Sequence, residues 1–220
     1  MKGCVARLFY SLFFLVPLPC HGKVLTYTRM VGQEKLLTTI QLEETAQGFT
    51  LTRQNAQEIC KVVADPSGDT QRWEYANPGL KLKLSAVRQG SAIAIAGEIE
   101  GKPIQKQVQM EGAPWYQELG FSAKRFVLSS ADSMTFFMIH PLKQSAHKMK
   151  LRKIGRTVVT VQGKTVESVE LKVNMDSFLL SLAWSAHQWH RLLDGLFIKY
   201  RGDSLKLGAP DTIVEISSGL

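Results

Sequence analysis

From Lys23 onward the apolar side chains recur at every second position, and this constrains the fold more than any other feature of the chain. In Lys35–Glu43, Leu36, Thr38, Ile40 and Leu42 fall on one side while Leu37, Thr39, Gln41 and Glu43 fall on the other. Leu80, Leu82, Leu84 and Ala86 alternate with Lys81, Lys83 and Ser85, and Val169, Leu171, Val173 and Met175 alternate with Glu170, Lys172 and Asn174. Ile104, Lys106, Val108 and Met110 likewise alternate with Gln105, Gln107, Gln109 and Glu111. A period of two with one dry and one wet face belongs to antiparallel strands. Parallel α/β folds need continuous apolar runs between long helices, and none is present. Turn signals such as Val31-Gly32-Gln33, Asn77-Pro78-Gly79, Glu100-Gly101-Lys102 and Gln162-Gly163-Lys164 punctuate the strands. Their spacing predicts a meander of about ten to twelve strands. The expected fold is all-β, a curved open sheet or half-barrel with one or two short helices as a plug, in a single domain over residues 23–220. With 45% apolar and 21% charged residues in 220, the chain can fill one core, which excludes disordered, collagenous and cysteine-stapled classes.

Two stretches depart from the period. In Ala113-Pro114-Trp115-Tyr116-Gln117-Glu118-Leu119-Gly120, proline at a first helical position and a closing glycine predict a short helix, with Ser122 as cap of a second turn through Phe126 and Val127. From Asp176 to His190 the helical and strand periods tie. A short helix capped by Asp176 and followed by a strand Trp189–Leu193 is the expectation, with a strand through Leu180, Leu182, Trp184 and Ala186 as the alternative.

Residues 1–22 read as a secretory signal peptide. Lys2 and Arg7 form a basic start, Leu8 to Val16 an apolar stretch, and Pro17 and Pro19 break it before small residues at Cys20 and Gly22. Cleavage after Gly22 and a periplasmic location follow as expectations. Lipidation at Cys20 and an uncleaved anchor are the rival readings; proline directly before the cysteine and the shortness of the apolar run weigh against them. Cleavage leaves Cys60 as the one cysteine of the mature chain, so no internal disulfide is expected. Alternation places Cys60, Val62 and Ala64 on one face, which predicts a buried, structural thiol. The formal charge of +8 is spread along the chain, densest at His147-Lys148-Met149-Lys150-Leu151-Arg152-Lys153, where alternation predicts a strand with one basic face. An exported chain of this charge is expected to meet no nucleic acid; an anionic envelope surface is compatible with it.

Asp69-Thr70-Gln71-Arg72-Trp73-Glu74-Tyr75, Pro114-Trp115-Tyr116-Gln117, Trp184-Ser185-Ala186-His187-Gln188-Trp189 and Asp194-Gly195-Leu196-Phe197-Ile198-Lys199-Tyr200-Arg201-Gly202 resemble an uncharacterised family of exported bacterial all-β proteins, a domain of unknown function. That family is similar in architecture to half-barrel lipoprotein carriers, whose curved sheet wraps a helical plug and holds acyl chains. The resemblance implies a Gram-negative periplasmic setting and a half-barrel, and a function only by analogy of fold.

No phosphate loop, Gly-x-Ser-x-Gly elbow or metal-ligand spacing stands out. His187 and His190 share a face on a helix and take opposite faces on a strand, so a metal pair depends on the period. The aromatic residues concentrate at the two interruptions. A concave apolar face lined by aromatics with polar tips is a place to hold a hydrophobic ligand. Trp115, Tyr116, Gln117, Trp184, His187, Trp189, His190 and Tyr200 are the candidate ligand-binding residues. The preferred expectation is a monomeric, non-catalytic periplasmic protein that shelters a lipid or acyl chain between sheet and plug, with no cofactor and no catalytic residue. An envelope hydrolase or isomerase using His187 or His190, and an envelope-protein partner paired through a sheet edge, are the alternatives.

Overall fold

The computed structural model describes residues 22–177, 184–202 and 210–220. Among the described residues, fourteen strands form one antiparallel sheet: β1 (Gly22–Val31), β2 (Glu34–Thr45), β3 (Gly48–Gln54), β4 (Ile59–Ala64), β5 (Thr70–Asn77), β6 (Leu82–Gln89), β7 (Ala92–Ile99), β8 (Lys102–Gln109), β9 (Ser133–His140), β10 (Ser145–Val161), β11 (Lys164–Met175), β12 (Ser185–Arg191), β13 (Phe197–Gly202) and β14 (Thr212–Ser218). The strand count exceeds expectation, while the open all-β sheet agrees with it. The spatial order runs β8-β7-β6-β5-β4-β3-β2-β1-β14-β13-β12-β11-β10-β9. The first and last strands therefore pair in the middle of the sheet, and its edges, β8 and β9, come from mid-chain.

Alternation explains which face turns inward. Leu25 and Tyr27 of β1, Ile40 and Leu42 of β2, Leu51 of β3, Cys60, Val62 and Ala64 of β4, Trp73 of β5 and Ile93 and Ile95 of β7 are all buried in one core. Each large apolar side chain taken out of water contributes about 1.5–3 kcal/mol. A second core gathers Phe136, Met149, Leu151, Val169, Leu171, Val173 and Ala186 of β9–β12. Ladder irregularities at Thr26/Tyr27, Val63/Ala64, Lys153/Gly155 and Trp189/His190 bend the strands. Beyond the one in β10, Val161 is buried in the first core, and Gln162 Nε2 donates to the Ile216 carbonyl at 3.0 Å.

The link from β8 to β9 carries two short helices, α1 (Leu119–Ser122) and α2 (Lys124–Leu128), as the plug. The sequence places a helix too early, from Pro114 where α1 begins at Leu119. Pro114–Gln117 is extended, because its backbone groups are taken by distant strands. Ser122 does not cap α2 through its side chain; its hydroxyl is buried with no hydrogen-bond partner among the described residues. Gly120 lies so close to Phe197 that a Cβ there would sit 2.9 Å from the ring, so only glycine lets α1 seat against β13. The segment expected as helix then strand is corrected as well. Residues 185–191 form β12, hydrogen-bonded to β11 on one side and β13 on the other; residues 178–183, and residues 1–21 of the expected signal peptide, lie outside the described residues.

Candidate functional site

Pro114–Gln117 is a strap joining the two wings of the sheet. Toward β9, Phe137 N–H donates to the Pro114 carbonyl at 2.7 Å and Tyr116 N–H to the Phe137 carbonyl at 2.9 Å. Toward β5, Thr70 N–H donates to the Trp115 carbonyl at 2.7 Å, and Trp115 N–H donates to Asp69 Oδ1 at 2.9 Å. Asp69 also receives Arg88 at 2.7 Å. Trp115 is fully buried, its indole N–H donating to Gln117 Oε1 at 2.8 Å, and the Tyr116 ring stacks on Phe136 at 5.6 Å. Burial pushes the Tyr116 hydroxyl up to about 12.

The other candidates divide by strand parity. His190, Tyr200 and Gln188 belong to the inner side of β12 and β13, where Gln188 stands opposite Tyr200. His190 is fully buried, its Nδ1–H donating to the Gly195 carbonyl and its Nε2 facing the Gln188 side-chain amide, each at 3.2 Å. Burial lowers its pKa to about 4, so it is neutral and sealed from any substrate. His187 and Trp189 take the opposite face: His187 meets Glu170 at 2.6 Å and stacks on Trp189 at 6.1 Å, and Lys199 lies 6.0 Å from the Trp189 ring centre. Trp184 is half-buried against the second core. By strand position the eight residues fall into three groups with Trp184 apart, while packing brings Tyr116, Trp184 and Tyr200 to the second core and Trp115 and Trp189 to the first. His187 and His190 fall on opposite strand faces, and no group of three or more His, Cys, Asp or Glu among the described residues is placed to hold a metal.

Where α1 meets β13, side chains leave little space between plug and sheet. The cavity bounded by Leu42, Phe49, Gly120, Phe121 and Phe197 is about 30 Å³, room for about one water. A groove of about 370 Å³ opens beside the helices at Gly48, Phe49, Gly68, Ser122 and Lys124.

A larger cavity, about 700 Å³, lies on the other face of the β3–β7 wing. Its floor is made of small side chains and backbone at Ala76, Ser85, Ala96 and Gly97, with Ile59 at one end. Lys61, Arg72, Glu74, Lys83 and Glu98 stand around it. Arg72 pairs with Glu74 at 2.9 Å, whereas Lys61 and Lys83 have no carboxylate partner among the described residues. A second hollow of about 430 Å³ over Leu37, Thr39, Gln41 and Gln54 shares Thr52 with the first. Sequence reasoning took this face as plain wet surface. The available signal was the run Ser91-Ala92-Ile93-Ala94-Ile95-Ala96-Gly97, whose outward positions are all small.

Beneath this wing, Arg53 binds Glu118 at 2.9 Å and also pairs with Glu58, while Cys60 Sγ donates to Glu118 at 3.3 Å and accepts the Trp73 indole N–H at 3.2 Å. Trp73 therefore belongs to the same core as Trp115.

No family model matches the chain, and no curated protein matches it. Among solved structures it is similar to the β-barrel-like protein of domain of unknown function DUF1849 from Brucella abortus, with a TM-score of 0.56 and 8% identity over 89% of this chain and 94% of that one. It is also similar to the hypothetical lipoprotein YmcC from Escherichia coli, with a TM-score of 0.41 and 10% identity over 92% of this chain and 86% of that one. The first likeness establishes a shared β-barrel-like fold, in agreement with the resemblance to an uncharacterised all-β family.

Proposed function

We propose that this is a non-catalytic periplasmic protein that binds an amphipathic, acyl-chain-bearing ligand, and that the ligand lies along the outer trough of β3–β7. The trough carries the reading. Its volume of about 700 Å³ falls within the range of ligand sites, and its floor of Ala76, Ala96 and Ile59 offers apolar surface. Lys61 and Lys83, unpaired at its sides, favour an anionic headgroup. The close packing of α1 on Phe197, and the smaller volume beside the helices, support placing the ligand in the outer trough.

A dansylated fatty acid tests this. The folded parent should raise its fluorescence, Ala96→Trp should abolish the signal by filling the floor, and the Lys61→Glu/Lys83→Glu double variant should weaken it. Trp115→Phe should leave it unchanged. A folded parent that binds nothing sinks the proposal, and binding lost in Trp115→Phe while kept in Ala96→Trp returns the ligand to the strap.

A further inference from the structure

Four of the chain's seven methionines, Met134, Met138, Met149 and Met175, fall on the second-core face of three neighbouring strands. The register brings imidazoles to the same place. Met138 stands directly opposite His147, and Met149, two residues further along β10, stands between Phe136 and Met175. The His140 and His147 rings meet edge to face at 6.0 Å. Trp184 packs on the same cluster, one position beyond the Asn174–Ser185 pair and so beside Met175.

Core filling explains part of this group. Met149 is 4% exposed and seals the core as a flexible, gap-filling side chain does. Met138 and Met175, however, are half-buried at the end of the core, Met138 directly opposite His147 and Met175 diagonal to it across Met149. Cross-strand diagonal neighbours lie about 7–8 Å apart, within reach of side chains as long as methionine, so Met175 can extend toward His147. His147 Nε2 faces Ser145 Oγ at 3.3 Å, and its Nδ1 has no partner among the described residues. His140 accepts the Leu142 and Lys143 N–H groups at Nδ1, at 3.2 and 3.4 Å, which fixes its ring beside His147.

We propose that Met138, Met175 and the Nδ1 of His147 bind a cuprous ion, with His140 positioning the His147 ring and Trp184 flanking the site. The donor chemistry selects the metal. Thioethers are soft ligands that suit Cu(I) and serve Mg²⁺, Ca²⁺ or Mn²⁺ poorly. The basic residues Lys148, Lys150 and Arg152 alternate onto the opposite face, and neither carboxylate nor thiolate stands among Phe136, Met138 and His140 of β9, Ser145, His147 and Met149 of β10 and Met175 of β11; Glu167, on the same side of β11, lies eight residues away. A neutral donor set in a half-buried place can carry one positive charge more readily than two.

The test uses the full chain labelled with ¹³C-methyl methionine, titrated anaerobically with Cu(I) supplied as its acetonitrile complex. The first equivalent should shift the Met138 and Met175 methyl signals and leave Met30 and Met110 in place. Competition against a chromogenic Cu(I) chelator should then show affinity falling roughly tenfold or more in Met138→Leu and in Met175→Leu, substitutions that keep side-chain volume. Unmoved Met138 and Met175 methyls in the folded parent overturn the site, including the case in which copper is taken up by Cys4, Cys20 or Cys60. If a leucine variant fails to fold, the parent spectrum still decides.

Discussion

The side chain of Gln117 grips both backbone groups of Ile139: its Nε2 donates to the Ile139 carbonyl at 3.0 Å, and its Oε1 accepts the Ile139 N–H at 3.0 Å. One amide side chain thus serves as an extra peptide unit on the edge of β9, and with Pro114–Tyr116 it covers that edge. The edge-pairing alternative is left with β8, where Lys102, Pro103 and Lys106 act against strand addition.

Gln117→Ala should lower stability by about 2–3 kcal/mol, at roughly 1 kcal/mol for each of the three bonds its side chain makes. Gln117→Glu, which keeps an acceptor and loses the Nε2 donor, should fall between alanine and wild type. Urea unfolding midpoints measure both. An unchanged midpoint for alanine would show that the strap contributes nothing to holding the wings together.

His190 gives the fold an acid limit. Its pKa is lowered to about 4 in the native state by burial, against 6.5 unfolded, so between these values the unfolded chain binds a proton that the native one refuses. The stability this neutral histidine supplies is intact above pH 6.5 and is lost as pH falls toward 4, in total on the order of 3 kcal/mol. Thermal melts across that window should show the decline, and His190→Gln should flatten it. Equal slopes in both proteins would assign the acid limit to other groups.

Burial, together with the neighbouring Glu118 carboxylate, pushes the Cys60 thiol well above its ordinary range. A thiol reagent should therefore react slowly with Cys60 in the native protein and quickly in denaturant. The sign of the linkage follows: above the unfolded thiol's pKa the unfolded state alone gives up the proton, so this contribution to stability is lost as pH rises. Prompt native labelling of Cys60 would contradict the burial.

Removal of the leader after Gly22 should leave the sheet intact, because β1 begins at Gly22 and would lose only its pairing with Glu43. Intact mass of the exported protein checks the position. A retained leader or a lipidated Cys20 would refute it.

Much of this fold is written locally. The inward face of β4, with Cys60, Val62 and Ala64, and the split of β10 into Met149 and Leu151 inside and Lys148, Lys150 and Arg152 outside both follow from alternation alone. The strap does not. Proline and glycine around Trp115 favour a helix on local grounds, but Thr70 and Phe137, far away in sequence, take the backbone groups and hold it extended. β12 was ambiguous because two periods fitted it equally, and its ladders to β11 and β13 decide the matter. The outer trough shows only faintly in the sequence: the small outward residues of β7 hint at it, while Lys61, Arg72, Glu74 and Lys83 around it look like any solvated row.

The pairing of β1 with β14 sets an order of events for a chain made from its N-terminus. β1 to β8 can zip as successive hairpins while synthesis continues, yet one side of β1 must stay open until the seven residues of β14 arrive. A message truncated between Gly202 and Thr212 would yield two meanders, β1 to β8 and β9 to β13, with open inner borders and no strand to join them. Quality control of this protein therefore rests on its last strand, and premature termination should show up as aggregation well before any loss of the leading eight strands.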